Sequence, residues 1–220
     1  MRFAILAAAA ETVALAGGSV AGGHTIRNPE PVFGLAVQGL VDPRRVFRKS
    51  GARPGDVAVI SKPIGTGLVT AAGSDAQKAA AISGMRMLNR AAAERLRSFD
   101  HGVHAVTDVT GYGLAGHGWE IAERSGVRFV IDSGTLPLYE GAREVASSGT
   151  RTGGDPRNRE YVGARLRCDT DETALALCMD PQTSGGLLAA VDPSLVSALV
   201  DGGFAVIGSF EDGPAGVTIS

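Results

Sequence analysis

The sequence predicts an α/β fold in two layers, with helices packed against a sheet. Three observations predict it. Apolar runs of strand length alternate along the chain with stretches whose apolar residues recur at helical spacing. Glycine-rich turns separate these segments: 31 of the 220 residues are glycine, about twice the usual share, with no G-X-Y period to make the chain collagenous. The composition, 44% apolar and 20% charged, is that of a chain able to bury a core rather than one that stays disordered.

The opening stretch MRFAILAAAAETVALAGG is alanine-rich and predicts a helix. Arg2, an apolar run and Ala14-Leu15-Ala16 give it some likeness to a secretory leader, but Glu11 interrupts the run, and the expectation is a soluble helix. Residues 32–41 (VFGLAVQGLV) read as a strand, and the turn Arg53-Pro54-Gly55-Asp56 leads into a second strand at 57–60. After the break Lys62-Pro63-Ile64-Gly65-Thr66-Gly67, residues 75–99 form the longest helix candidate. Ser74 or Asp75 can cap it, and Ala79, Ile82, Met85, Leu88, Ala92 and Leu96 lie near a 3.6 period.

Strands follow at 103–106 and 127–131, then a helix at 138–147 and a polar, Gly-rich surface loop at 151–159. A short helix at 172–178 stops at Asp180-Pro181, because the residue before proline disfavours the α region. A strand at 186–191, a helix at 194–201 ended by Gly202-Gly203, and closing strands at 204–208 and 217–219 complete the pattern. The turn at 53–56 is the expected boundary, dividing residues 1–53 from residues 54–220.

Charge and cysteine usage exclude several functions. A net charge of −2 leaves no footprint for nucleic acid or an anionic membrane, and 5% aromatics provide no base-stacking platform. No stretch reaches the roughly 18 continuous apolar residues that span a bilayer. Cys168 and Cys178, ten apart, match neither a CxxC metal pair nor a disulfide framework, which points to a reducing cytoplasm.

Several motifs could carry chemistry. Gly111-Tyr112-Gly113-Leu114-Ala115-Gly116 fits the dinucleotide pattern G-x-G-x-x-G, with Asp132 following at the end of the next strand. Against that reading, Asp108 stands three residues before the first glycine, where its charge would repel a pyrophosphate. The same Asp108 suits a magnesium ion carrying a phosphate, since a strand-end carboxylate beside free backbone amides supplies a hard oxygen ligand; capping the helix is the plainer role. Gly22-Gly23-His24-Thr25 could bring backbone and a hydroxyl against an anion, or could be only a turn. His101 and His104 fit surface or capping positions better than a metal pair, and His117 fits a packed or capping histidine. Asp180-Pro181-Gln182-Thr183-Ser184-Gly185-Gly186 reads first as a structural turn, and Cys178 before it as an inert buried thiol.

Taken together, GGHTIRNPEPVFGLAVQGLV, GARPGDVAVISKPIGTG, HAVTDVTGYGLAGHGWEIA and DPQTSGG followed by an apolar strand resemble the selenide, water dikinase (selenophosphate synthetase) family, from about residue 6 to the C-terminus. GGHT stands where relatives read GGHS or GGQT, GYG where they read GFG, and GGDPRN where they read GGTxRN. Aminoimidazole ribonucleotide synthetase, thiamine-monophosphate kinase and a hydrogenase maturation dehydratase share the architecture without the full set of motifs.

The resemblance implies the C-terminal domain of the aminoimidazole ribonucleotide synthetase-like fold, at residues 54–220, joined to part of an N-terminal ATP-binding domain at residues 1–53. It implies a homodimeric, cytoplasmic enzyme that makes selenophosphate from selenide, ATP and water, using magnesium and a monovalent cation. Asp108 matches a magnesium ligand of the family, and Gly22, Gly23, His24 and Thr25 match its ATP-contacting segment. The family's glycine-rich arm with a catalytic cysteine or selenocysteine, its nearby lysine and its leading aspartates have no counterpart here. The chain therefore reads as N-terminally truncated and inactive alone, with a non-catalytic dimerisation or nucleotide-binding module, or another ATP-dependent member of the superfamily, as the alternatives.

Overall fold

A computed structural model describes residues 2–220, which form two compact units, one running to Val46 and the other spanning Phe47–Ser220. The first unit holds helix α1 (Arg2–Leu15), whose alanines supply helix propensity. A 3-10 turn at Pro43–Arg45 closes the unit, capped by the Asp42 side chain on the Arg44 amide. The strand expected at 32–41 does not form. Those residues have no regular structure and join no ladder, and Val32, Phe33, Val37, Leu40 and Val41 are all exposed, Val37 by 87%. An apolar alternation becomes a strand only when a neighbour takes its amides and carbonyls.

The second unit is built on one seven-stranded sheet. Its strands are β1 (Val57–Ile60), β2 (Val103–Asp108), β3 (Arg128–Ile131), β4 (Leu166–Cys168), β5 (Leu187–Val191), β6 (Ala205–Glu211) and β7 (Gly216–Ile219), in the order β2-β5-β1-β6-β3-β7-β4. The pairs from β2 through to β3 are antiparallel, and the β3–β7 and β7–β4 pairs are parallel. Between the strands run α2 (Thr66–Ala72), α3 (Asp75–Arg86), α4 (Arg90–Arg97), α5 (Gly113–Ser125), α6 (Ala142–Ser147), α7 (Asp155–Val162), α8 (Glu172–Met179) and α9 (Val196–Asp201).

Side chains alternate across each strand and fill two cores. On one face, Ala58, Ile60, Leu188, Ala190, Phe129 and Ile131 pack against Leu114, Ile121 and Ala122 of α5 and Cys178 of α8. On the other, Val59, Val106, Ala189 and Val191 meet Leu96 of α4 and Leu199 of α9. Burial on both faces explains why LLAAV of β5 is a continuous apolar run.

The antiparallel neighbourhood of β2 overturns the dinucleotide reading of residues 111–116. That motif requires neighbouring parallel strands joined through the helix, whereas β2 pairs antiparallel with β5, and β3, to which α5 leads, stands three strands further across the sheet. Asp132 instead accepts the Gly134 amide in a local turn.

Other departures trace to tertiary contacts. The helix expected at 75–99 breaks into α3 and α4 at Met87–Asn89, where Lys62 Nζ takes the Met87 carbonyl and Asn89 Nδ2 bonds the Gly185 carbonyl. Ser74 caps α3 in a reciprocal box with Gln77. The loop expected at 151–159 gives way to α7, whose Asp155 and Asn158 are buried. The helix expected from 138 starts only at Ala142, because Ile64 exchanges backbone hydrogen bonds with Pro137 and Tyr139. Helix α2 and strand β4 were not expected from the pattern.

Strand β6 runs past the stop expected at 208, by means of a bulge. Ala58 faces Gly208 but Val59 faces Val206, so Ile207 is the extra residue, and Ile207 and Phe210 reach the same core three positions apart. Gly208 has φ 146°, and a Cβ there would overlap the Val130 carbonyl of β3. Replacing Gly208 with alanine is expected to cost about 2–4 kcal/mol in urea unfolding, through strain at this φ and collision with a backbone that cannot yield; a variant as stable as the parent contradicts the bulge geometry.

Candidate functional site

The glycine-rich motifs of the second unit meet at one turn, residues 180–186, which carries the chain from α8 into β5. Gln182 is its centre and is buried. Its Oε1 accepts from the Gly65 amide (3.0 Å), the Thr66 amide (3.1 Å) and the Thr66 hydroxyl (3.2 Å). Its Nε2 donates to the Asp180 carbonyl (2.8 Å) and carboxylate (3.0 Å). Its backbone amide donates to the Thr110 carbonyl at 2.9 Å. Thr66 Oγ1 in turn accepts from the Thr183 amide at 3.0 Å.

Two further segments lock onto the same turn. Asn158 of α7, also buried, donates from Nδ2 to the Gly111 carbonyl (2.9 Å) and the Met179 carbonyl (2.8 Å). Val109 donates its amide to the Gly186 carbonyl at 2.9 Å. Glycine is needed where these backbones touch: a Cβ on Gly185 would overlap the Val109 carbonyl, and one on Gly113, at φ 69°, would press on the Cys178 and Asp180 carbonyls at 2.9 and 3.0 Å. Ser184, at φ 51°, is the non-glycine residue with positive φ among those described. Its carbonyl is taken by Lys62 Nζ at 2.9 Å.

Two charges are buried in this knot. Lys62 is 7% exposed, burial pulls its ammonium pKa down, and its acceptors are the Met87 and Ser184 carbonyls. Asp180 is 1% exposed. Burial pushes its carboxyl up to about 6, against the pull of hydrogen bonds from the Leu68 amide, the Gln182 side chain and the Gly67 amide.

Of the site residues expected from sequence, Asp108 ends β2 on the rim of this knot. It is exposed, and its carboxylate makes no hydrogen bond or ion pair among the described residues; its backbone pairs with Leu187 in the ladder, and its carbonyl accepts the Thr107 hydroxyl at 3.0 Å. It does not cap α5, and it is an exposed carboxylate oxygen pair without a partner among the described residues. Among the described residues no three histidine, cysteine or acidic side chains gather to hold a metal. Asp108 consequently fits a cation as one ligand of a set completed from elsewhere.

Gly22, Gly23, His24 and Thr25 lie exposed in a stretch of the first unit without regular structure, and a Cβ on either glycine would meet open space. Cys178 is fully buried and desolvation pushes its thiol far up, so it is inert, while Cys168 is half-buried with its thiol turned to the Thr170 carbonyl at 3.8 Å. His104 is no surface group: its Nδ1 pairs with the Asp56 carboxylate at 2.8 Å. His117 is packed, as expected, between Thr110 and Glu120. The residues missed from sequence were Gln182, Asn158, Lys62 and Asp180; their common signal is a polar side chain inside a glycine-dense motif.

Asp180 makes the knot sensitive to pH. Its carboxyl binds a proton more tightly folded than unfolded, where the ordinary value is 3.8. Stability from the neutral form is thus complete below about pH 4 and lost as pH rises through about 6, a loss on the order of 3 kcal/mol. Asp180→Asn stays neutral throughout. Compared with the parent in urea unfolding, it is expected to gain about 2–3 kcal/mol between pH 4.5 and pH 8; a difference that does not change with pH contradicts the assignment.

Comparison with known proteins agrees with this architecture. Residues 53–219 match the family model "AIR synthase related protein, C-terminal domain". A selenide, water dikinase of Caldanaerobacter subterraneus is 43% identical over 183 residues, 80% of this chain and 52% of the relative. One of Burkholderia pseudomallei is 42% identical over 231 aligned positions, 99% of this chain and 65% of the relative. The chain thus spans about half to two thirds of the length of these relatives. The solved structure of hydrogenase maturation protein HypE in complex with ATP shares the fold, with a TM-score of 0.55 at 22% identity over 82% of this chain and 51% of that one. Among the described residues no helix is long and apolar enough to cross a membrane. With its sheet, its knotted glycine motifs and a match covering residues 53–219, the chain belongs to the AIR synthase related protein family, and its curated relatives are selenide, water dikinases.

Proposed function

We propose that the chain is part of a selenide, water dikinase, which makes selenophosphate from selenide, ATP and water and releases AMP and phosphate. In this reading residues 1–53 belong to an ATP-binding domain and residues 54–220 form the C-terminal domain of a cytoplasmic homodimer that also takes a monovalent cation. Asp108 is one ligand of a magnesium ion, and Gly22, Gly23, His24 and Thr25 form a nucleotide-contacting segment. The observation that carries the reading is Asp108: an unengaged carboxylate at a strand end, on a turn whose backbone is pinned by Gln182 and Asn158. Identity of about 40% to selenide, water dikinases supports the substrate class.

Bound magnesium would neutralise phosphate charge as a phosphoryl group leaves ATP. This chain's own contribution is to hold one oxygen ligand rigidly, so that little reorganisation is needed as charge develops. In this reading the nucleophile comes from outside these 220 residues, which is supported by the burial of Cys178 in the core and by the lack of a lysine beside Cys168.

Anaerobic conversion of ATP to AMP in the presence of selenide tests the reading. The chain alone is expected to give no selenide-dependent AMP, and turnover is expected once the N-terminal segment of a relative, bearing its cysteine and lysine, is added. Asp108→Asn in that mixture should lower the rate by about 100-fold or more. Selenide-dependent turnover by the chain alone would place the nucleophile within it and overturn the proposal. A complemented mixture that neither binds ATP nor makes AMP favours the non-catalytic module.

A further inference from the structure

A hydrogen-bonded chain of four side chains ends on the turn that follows Asp108. Lys49 Nζ donates to Glu120 Oε2 at 2.6 Å, and His117 Nδ1 lies 2.8 Å from the same oxygen. The other ring nitrogen, His117 Nε2, is 3.0 Å from Thr110 Oγ1. Burial works to raise the Glu120 carboxyl, but the Lys49 and His117 hydrogen bonds prevail and hold it below the usual carboxylate range. An ionised carboxylate only accepts, so Nδ1 carries a proton toward Glu120. In the neutral ring Nε2 is then the acceptor, and the Thr110 hydroxyl donates to it. His117 is buried, with the Tyr112 ring 5.6 Å away and tilted over it; Tyr112 is itself stacked on Tyr161 at 4.5 Å.

Thr110 is thereby held on two sides. Its carbonyl accepts the Gly113 and Gln182 amides, and its hydroxyl is fixed by His117, two residues beyond Asp108. A packed core histidine needs one hydrogen-bond partner per nitrogen, but nothing in that need directs one of them to the hydroxyl of a turn next to a free carboxylate.

We propose that Lys49, Glu120, His117 and Thr110 form a positioning relay that holds the turn after Asp108 in the conformation in which its carboxylate meets a divalent cation. None of the four touches the cation. The cation half of the proposal rests on the reading of Asp108 given above, whereas the ordering of the turn does not.

The test uses amide-resolved hydrogen exchange on the 220-residue chain and, because Asp108 supplies only one ligand, line broadening by added Mn2+ in the mixture of that chain with the N-terminal segment of a relative. Thr110→Val keeps the shape of the side chain and removes its hydroxyl; Thr110→Ser keeps the hydroxyl. His117→Asn leaves a donor near the Nδ1 position for Glu120 and removes the Nε2 partner of Thr110. Exchange at the Val109, Gly113 and Gln182 amides is expected to quicken about fivefold in Thr110→Val and His117→Asn, the scale of one lost hydrogen bond, and to stay near the parent rate in Thr110→Ser. Amides of β3 should keep parent rates in all three. Mn2+ broadening at Asp108 and Val109 should weaken about fivefold in the same two variants and persist in Thr110→Ser.

Parent exchange rates in Thr110→Val and His117→Asn overturn the relay, as does a Thr110→Ser variant that exchanges as fast as Thr110→Val, since packing and not the hydroxyl would then order the turn. Should His117→Asn fail to fold, the Val and Ser pair at position 110 decides the question alone. Mn2+ broadening that survives Asp108→Asn overturns the cation reading of Asp108 while leaving the exchange result to judge the relay.

Discussion

The second unit depends on Gln182, because its buried side-chain amide and its backbone amide together tie three loops that local forces would leave independent. The loop before α2 donates to its oxygen, its nitrogen holds Asp180 in place, and its backbone amide reaches the turn between β2 and α5. A buried amide stabilises little when satisfied and costs several times more when its partners are stranded. Loops bonded to one such group therefore share its order. The glycines around it follow from the same constraint: the backbones approach so closely that a Cβ at Gly185 would meet the Val109 carbonyl.

In the function proposed above, rigidity of this kind has a use at Asp108. A lone exposed carboxylate on a mobile loop would lose much of its value as a ligand to the entropy of fixing it, whereas one on an immobilised turn is already placed. Charge is handled differently inside the knot and at its rim. Lys62 and Asp180 are sealed in and serve structure, with burial moving each away from its charged form. Asp108 stands exposed at the rim, its carboxylate without a hydrogen-bond partner among the described residues.

Much of the second unit was legible in the sequence because local and tertiary preferences agree there. Strand 57–60, the strand begun at 103 and the helix from Glu172 all stand close to where pattern and caps put them. Failures arose where a distant partner decides. VFGLAVQGLV is an apolar run of strand length but pairs with no strand among the described residues, and the long helix is cut where Lys62 and Asn89 claim the backbone of a far turn. The bulge at Ile207 hid the end of β6, since a period of two cannot register a skipped residue. For the site, Asp108 was visible as a carboxylate before a glycine turn. The knot was not: its glycines read equally well as phosphate-facing backbone, and only the fold shows that they face one another.

The most direct measurement is amide hydrogen exchange on Gln182→Leu, which keeps the volume and removes every hydrogen bond of the side chain. If Gln182 ties the loops together, protection falls at once at Thr66, at Val109 and Gly113, and at Thr183, while β3 amides keep theirs. Loss confined to Gly65 and Thr66, with the turn after Asp108 as protected as in the parent, would contradict the account.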